Sequence, residues 1–175
     1  MKLILILIVT LGFFSNSPAQ TTPAQWIGQW QGELEIYNYR QAQPEKVNMQ
    51  MNITAINDST WHWVTYYTED ERIISEKNYQ LVTIDADAGL YQIDELNGIK
   101  LQAQMLGSRL ITYFEVGNNL LTICYFTRQN QLFFEVNFAN NKTKLETGGV
   151  SDEVPVVLTY RASTFQQAIL SKVKN

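Results

Sequence analysis

One histidine and one cysteine are all the imidazole and thiol that the 175-residue sequence carries. A structural zinc site takes roughly four Cys or His ligands, so His62 and Cys124 could not build one alone. A disulfide framework needs paired cysteines, so a hydrophobic core has to hold the chain. Basic residues are scarce and scattered: 13 Lys and Arg stand against 17 Asp and Glu, for a net charge of −4. Nucleic acids and anionic membranes are bound by clusters of Lys and Arg that neutralise phosphates, and neither partner is expected. The catalytic signatures are missing as well. There is no Gly-x-Ser-x-Gly elbow, no phosphate loop and no His-Glu-x-x-His. Beyond residue 14 no apolar run approaches the roughly 20 residues that a membrane helix requires.

What is present begins at the N-terminus. Met1-Lys2 is a short positive start, residues 3–14 are almost wholly apolar, and Ser17 and Ala19 are small residues where a signal peptidase reads. The pattern predicts a cleaved leader over residues 1–19, an exported domain over residues 20–175, and a periplasmic or extracellular location. The domain is long enough for a sizeable core. Oligomeric state is left open by the sequence.

Hydrophobic residues (45% of the chain, including the 12% that are aromatic) outweigh the charged ones (17%), and they alternate with polar residues. Over residues 46–56, Val47, Met49, Met51, Ile53 and Ala55 share one face while Asn48, Gln50, Asn52 and Thr54 share the other. Period two over that length predicts a half-buried strand. Similar segments cover residues 31–39, 60–67, 79–84, 90–95, 99–106, 109–116, 120–127, 132–139, 142–147 and 154–162. Short turns join them, among them Asn97-Gly98, which suits a type I′ hairpin. Sequential short turns imply antiparallel neighbours, and closing the sheet removes its exposed edges. The predicted fold is all-β: an up-and-down antiparallel barrel of about ten strands. Ser163 and Gln166 have capping-box spacing, and Phe165, Ala168, Ile169 and Val173 then form a stripe that predicts a short C-terminal helix.

Two segments resemble the lipocalin-like (calycin) superfamily. Ile27-Gly28-Gln29-Trp30 opens the first strand with its Gly-x-Trp pattern, and Leu158-Thr-Tyr-Arg161 places an Arg where those barrels often have one. The resemblance implies that Trp30 plugs the closed end, that Arg161 lies over its ring and that Gly28 lets the chain bend into the strand. Residues 93–99 are similar to a group of uncharacterised exported bacterial lipocalin-like proteins, which implies fold and location but no activity. Trp30-Gln-Gly32 is also similar to haem-binding nitrobindin-like barrels. Those use a His near the C-terminal strands, and residues 145–175 contain none, so no cofactor is expected.

The candidate binding residues are the large side chains on apolar strand faces: Met49, Met51, Trp61, Trp63, Phe114, Phe134 and Phe138. A ten-stranded barrel can enclose more space than side chains fill, and these residues would line a pocket for a small apolar or amphipathic ligand. His62 lies between Trp61 and Trp63, so in a strand it points away from both. Glu69-Asp70-Glu71 reads as a solvated loop. Asp85, Asp87, Asp94 and Glu95 cluster at two turns, which suits turn chemistry better than an acid–base pair. No catalytic or metal-binding residue is assigned. The expected function is therefore non-enzymatic binding. An interaction protein working through its outer surface is the alternative, and an enzyme using His62 or a carboxylate pair is a third reading.

Overall fold

The computed structural model describes residues 22–174; the expected leader, residues 1–19, lies outside the described residues. After a 3-10 turn at Pro23–Trp26 come ten strands: β1 (Gly28–Asn38), β2 (Glu45–Asn57), β3 (Thr60–Glu69), β4 (Arg72–Asp85), β5 (Leu90–Asp94), β6 (Lys100–Leu106), β7 (Arg109–Val116), β8 (Asn119–Arg128), β9 (Gln131–Thr147) and β10 (Val157–Lys172). Each pairs antiparallel with its neighbours in sequence, and β10 returns to pair with β1. The result is a closed up-and-down barrel, as the alternation predicts.

The C-terminal helix does not form. Residues 163–172 are the second half of β10, hydrogen-bonded on both sides, with Ala168 opposite Leu34 of β1 and Phe134 of β9. The Ser163 hydroxyl donates to the carbonyl of Phe138 at 3.3 Å rather than capping a helix. The reason is an unmet demand elsewhere: without β10 both β1 and β9 would be open edges, and a pair of ladders outweighs a marginal helix. The apolar residues serve this strand equally well. Ala168 and Leu170 are buried, while Ile169 faces outward.

Two further turn expectations need correction. Asn140-Asn141 is a bulge within β9, which runs on through residues 142–147; Asn141 N–H donates to the carbonyl of Asn118 at 2.9 Å. The positive-φ pairs expected of type I′ turns occur at Asp70-Glu71 (φ 46° and 63°) and Gln129-Asn130 (51° and 62°). At Asn97-Gly98 only Gly98 is positive, joined by Leu96 at 58°. Here the Asp94 and Asn97 side chains accept from Leu96 N–H and Ile99 N–H at 2.8 and 2.9 Å. These local bonds make a longer turn the better solution.

At the base of the barrel the 3-10 turn tucks Trp26 fully inside, where its carbonyl accepts from the Trp30 Nε1–H at 2.7 Å. Trp30 therefore sits at the closed end, as the resemblance implies. Its cation is different: Lys172 Nζ lies 5.2 Å from the Trp30 ring centre, while Arg161 stands over Tyr39 at 4.8 Å. Trp30 pairs directly with Lys172 across the β1–β10 ladder, so Arg161, eleven residues earlier on β10, is at the opposite end of the barrel. Gly28, at φ +138°, leaves the space this arrangement needs; a Cβ there would meet the Lys172 side chain at 2.5 Å.

A double-mutant cycle with Trp30→Phe should show about 0.5 kcal/mol of coupling to Lys172→Met and none to Arg161→Met. Urea unfolding checks it, and coupling to Arg161 instead would contradict the observed pairing.

Candidate functional site

Odd-numbered residues of β3 point into the barrel, and this fixes the site. Trp61 and Trp63 face the interior and are buried. His62 faces outward, where its Nε2 lies 2.6 Å from Asn78 Oδ1. The only imidazole is thus on the outer wall. The turn carboxylates behave as turn residues: Asp85 accepts from Ala88 N–H at 3.0 Å, and Asp94 lies 3.4 Å from Lys100 Nζ.

Burial of the inward rows changes from base to mouth. Toward the base, Trp30, Leu34, Met49, Met51, Ile53, Trp61, Trp63, Leu81, Met105, Leu110, Leu132, Phe134, Ala168 and Leu170 are all buried. Aromatic rings bridge the interior at this level: Trp26 meets Trp63 edge-on at 5.7 Å, Trp63 meets Tyr125 at 4.7 Å, and Tyr125 meets Phe134 at 5.1 Å. Toward the mouth, Ile36, Tyr67, Tyr79, Leu101, Phe114, Ile123 and Phe138 are only partly buried, although they too pack on the core. Inward side chains that stay accessible mean that solvent reaches the inner wall. The lower half is filled, and the inward residues of the upper half form a less tightly covered apolar rim, called the cup below.

This divides the seven candidate residues. Met49, Met51, Trp61, Trp63 and Phe134 lie in the packed lower half, with Trp63 and Phe134 reaching the aromatic layer that floors the cup. Phe114 and Phe138 stand in the cup wall.

The calycin-like form of the barrel is also what comparison returns. No family model matches the chain, and no curated protein matches it. Among solved structures, the S-type phycobiliprotein lyase CPES from Guillardia theta superposes with a TM-score of 0.60 at 11% identity, covering 87% of this chain and 90% of that one. Rv2717c from M. tuberculosis does so with a TM-score of 0.50 at 11% identity, covering 88% and 99%. The fold is lipocalin-like. At such low identity the likeness carries architecture alone, so the chemistry of this calycin-like cup must come from its own residues.

Three of those residues were not singled out from sequence. Tyr67, Tyr79 and Tyr125 come from β3, β4 and β8, yet their hydroxyls are close enough for any phenolate charges to repel one another. Burial pushes the Tyr79 hydroxyl up to about 12, with repulsion from Glu95 and Tyr67 adding to it. Burial raises Tyr67, and it raises Tyr125 well above 10. The signal was present in the alternation itself, since Tyr67 continues the row of Trp61 and Trp63. On the outer wall, Cys124 is buried beneath Arg109, whose guanidinium stacks 3.7 Å above Phe126 and reaches the thiol at 3.5 Å. Burial raises this thiol too, which disfavours the nucleophilic thiolate.

The tyrosines set a pH limit. In the unfolded chain they ionise near pH 10, whereas folded Tyr79 keeps its proton to about 12. Stability is therefore complete below pH 10 and falls as the pH rises toward 12, because only the unfolded state gives up the proton there. Tyr79→Phe should move the alkaline unfolding midpoint upward, read by phenolate absorbance alongside circular dichroism. An unmoved midpoint would remove Tyr79 from this account.

Proposed function

We propose that the protein is a non-enzymatic binding barrel that holds a small apolar or amphipathic molecule in the open half of its interior. The observation that carries this reading is the cup: an inner wall of Tyr67, Tyr79, Leu101, Phe114, Ile123 and Phe138 that the protein's own side chains leave accessible. Binding sites of this kind are concave, largely apolar and carry a few polar groups, and here the hydroxyls of the three tyrosines supply those. The position of His62 on the outer wall supports binding over catalysis. The fold shared with CPES, a phycobiliprotein lyase, is compatible with a small-molecule role.

Native mass spectrometry of the purified protein should detect a retained small molecule, and a lipid panel should quench the tryptophan fluorescence. Phe138→Glu, which puts a charge into the cup wall, should lower retention at least tenfold at a temperature where circular dichroism shows the variant folded. Met51→Ala, in the filled half, should instead lose about 2–5 kcal/mol of stability. Wild-type protein that retains nothing and is quenched by nothing would refute the reading.

A second reading has its own observation. The β9–β10 hairpin runs past the mouth as a two-stranded ribbon whose Leu145, Val156, Val157, Leu158 and Tyr160 are exposed. Apolar side chains on a protruding ribbon favour contact with another molecule. Leu158→Ser with Tyr160→Ser separates the two readings, since the paired change leaves the cup intact.

We further propose that the protein is exported, to the periplasm or beyond, with residues 1–19 as a cleaved leader. The small residues Ser17 and Ala19 after an apolar segment support this. Intact-mass analysis of the full-length gene product made in a secreting host should give a chain beginning at Gln20; a chain that keeps Met1 would overturn it.

A further inference from the structure

The floor of the cup is not uniformly apolar, and its polar atoms have a consistent character. Trp63, only 4% exposed, has a buried Nε1–H with no hydrogen-bond partner. Its ring is in contact with Tyr125, 4.7 Å away across the barrel, and it sits opposite Tyr79 in the β3–β4 ladder. Tyr67 is four residues farther along the same inward row toward the mouth. Trp63, Tyr79 and Tyr125 are thus neighbours at the top of the packed layer, with Tyr67 next along the row, and the three phenols are near enough for phenolate charges to repel one another.

An indole N–H can only donate, whereas a phenol hydroxyl can donate or accept. A buried donor without a partner costs about 1–3 kcal/mol, so a group that accepts from Trp63 gains more here than in water. The set as a whole therefore matches an acceptor. The charge of that acceptor is also constrained. Glu95 lies near enough to Tyr79 to repel a phenolate there, and the same carboxylate would repel an anionic ligand oxygen. The hydroxyls are neutral and can serve either role, but the indole N–H can only donate, so an ammonium group would leave it unpaired while a carbonyl oxygen would not.

We infer that the cup selects uncharged apolar molecules that lead with a carbonyl, whose oxygen is taken by the Trp63 N–H and by hydroxyls of Tyr67, Tyr79 and Tyr125 while the apolar body lies along Phe114 and Phe138. This inference rests on the reading of the cup as a binding site and names the class of molecule that site takes. The phenol groups act as binding residues, and no bond of the ligand is made or broken.

Three probes of one shape test it: 2-acetylnaphthalene, which is neutral with a carbonyl; 2-ethylnaphthalene, which is neutral without one; and 2-naphthoate, which is anionic. Affinities are measured by equilibrium dialysis on the wild type and on Tyr67→Phe, Tyr79→Phe and Tyr125→Phe. The preference for ketone over hydrocarbon should drop about threefold to tenfold in at least one variant, the worth of one hydrogen bond, with hydrocarbon affinity unchanged. Should Tyr125→Phe fail to fold, the two tyrosines nearer the mouth carry the comparison. A preference that stays the same in every folded variant overturns the inference and leaves the cup as a plain apolar site. Tighter binding of 2-naphthoate than of the ketone overturns the uncharged class. If none of the three probes binds the wild type, the binding reading itself fails and this inference fails with it.

Discussion

The seam between β1 and β10 is the constraint on which everything else depends. Ten strands in sequence leave two edges, and each edge is a row of unpaired backbone donors and acceptors. Pairing β10 with β1 from Trp30–Lys172 to Asn38–Thr164 removes both. The seam needs close approach: a Cβ on Gly32 would collide with the carbonyl oxygen of Ile169. On the outer face of the seam, the Tyr37 hydroxyl and Gln167, which pairs with Glu35 across it, both donate to the Glu35 carboxylate, at 2.7 and 3.0 Å. The first is exposed and the second only part-buried, so they define register more than they add stability. Closure also fixes the interior, because once the ring is complete each inward row faces the others at a set distance.

From that enclosure follows the division into a filled base and an accessible mouth. The 3-10 turn caps one end with Trp26, and the rings of Trp63, Tyr125 and Phe134 extend the packing upward from it. Among the described residues no comparable plug stands at the other end, which is ringed by the loops between strands and the long β9–β10 ribbon. Stability and function are thereby assigned to different levels of one barrel. Large hydrophobic side chains near the base hold the fold, and similar side chains near the mouth remain available to a ligand.

Alternation was the most legible signal, and it gave strand count, antiparallel order and the rule that His62 faces away from both Trp61 and Trp63. It erred where two local patterns fitted one stretch. Residues 163–172 satisfy both a helical stripe and a strand, since Ala168 and Leu170 alternate while Ala168 and Ile169 also lie on one helix face. A helix over these residues would take Lys172 away from Trp30, and the family resemblance implies Arg161 there instead; the strand brings Lys172 to the ring. Asn97-Gly98 looked like the best hairpin turn for similar reasons, yet side-chain bonds from Asp94 and Asn97 stabilised another geometry. The tyrosine cluster was hidden differently: Tyr67, Tyr79 and Tyr125 are far apart in the chain and meet only across the closed barrel.

The sequence by itself determined that the chain forms sequential antiparallel strands, because period-two alternation reports which side of a strand is buried and short turns report which strands are neighbours; closure of the ring was decided by the pairing of β10 with β1. It also determined that one imidazole and one thiol are available for chemistry. Only the tertiary structure decided where β10 pairs, which cation covers Trp30, that His62 stands outside and that the inward residues near the mouth are only partly buried. Each of these depends on distance between residues remote in sequence, and closure of the ring is what sets those distances.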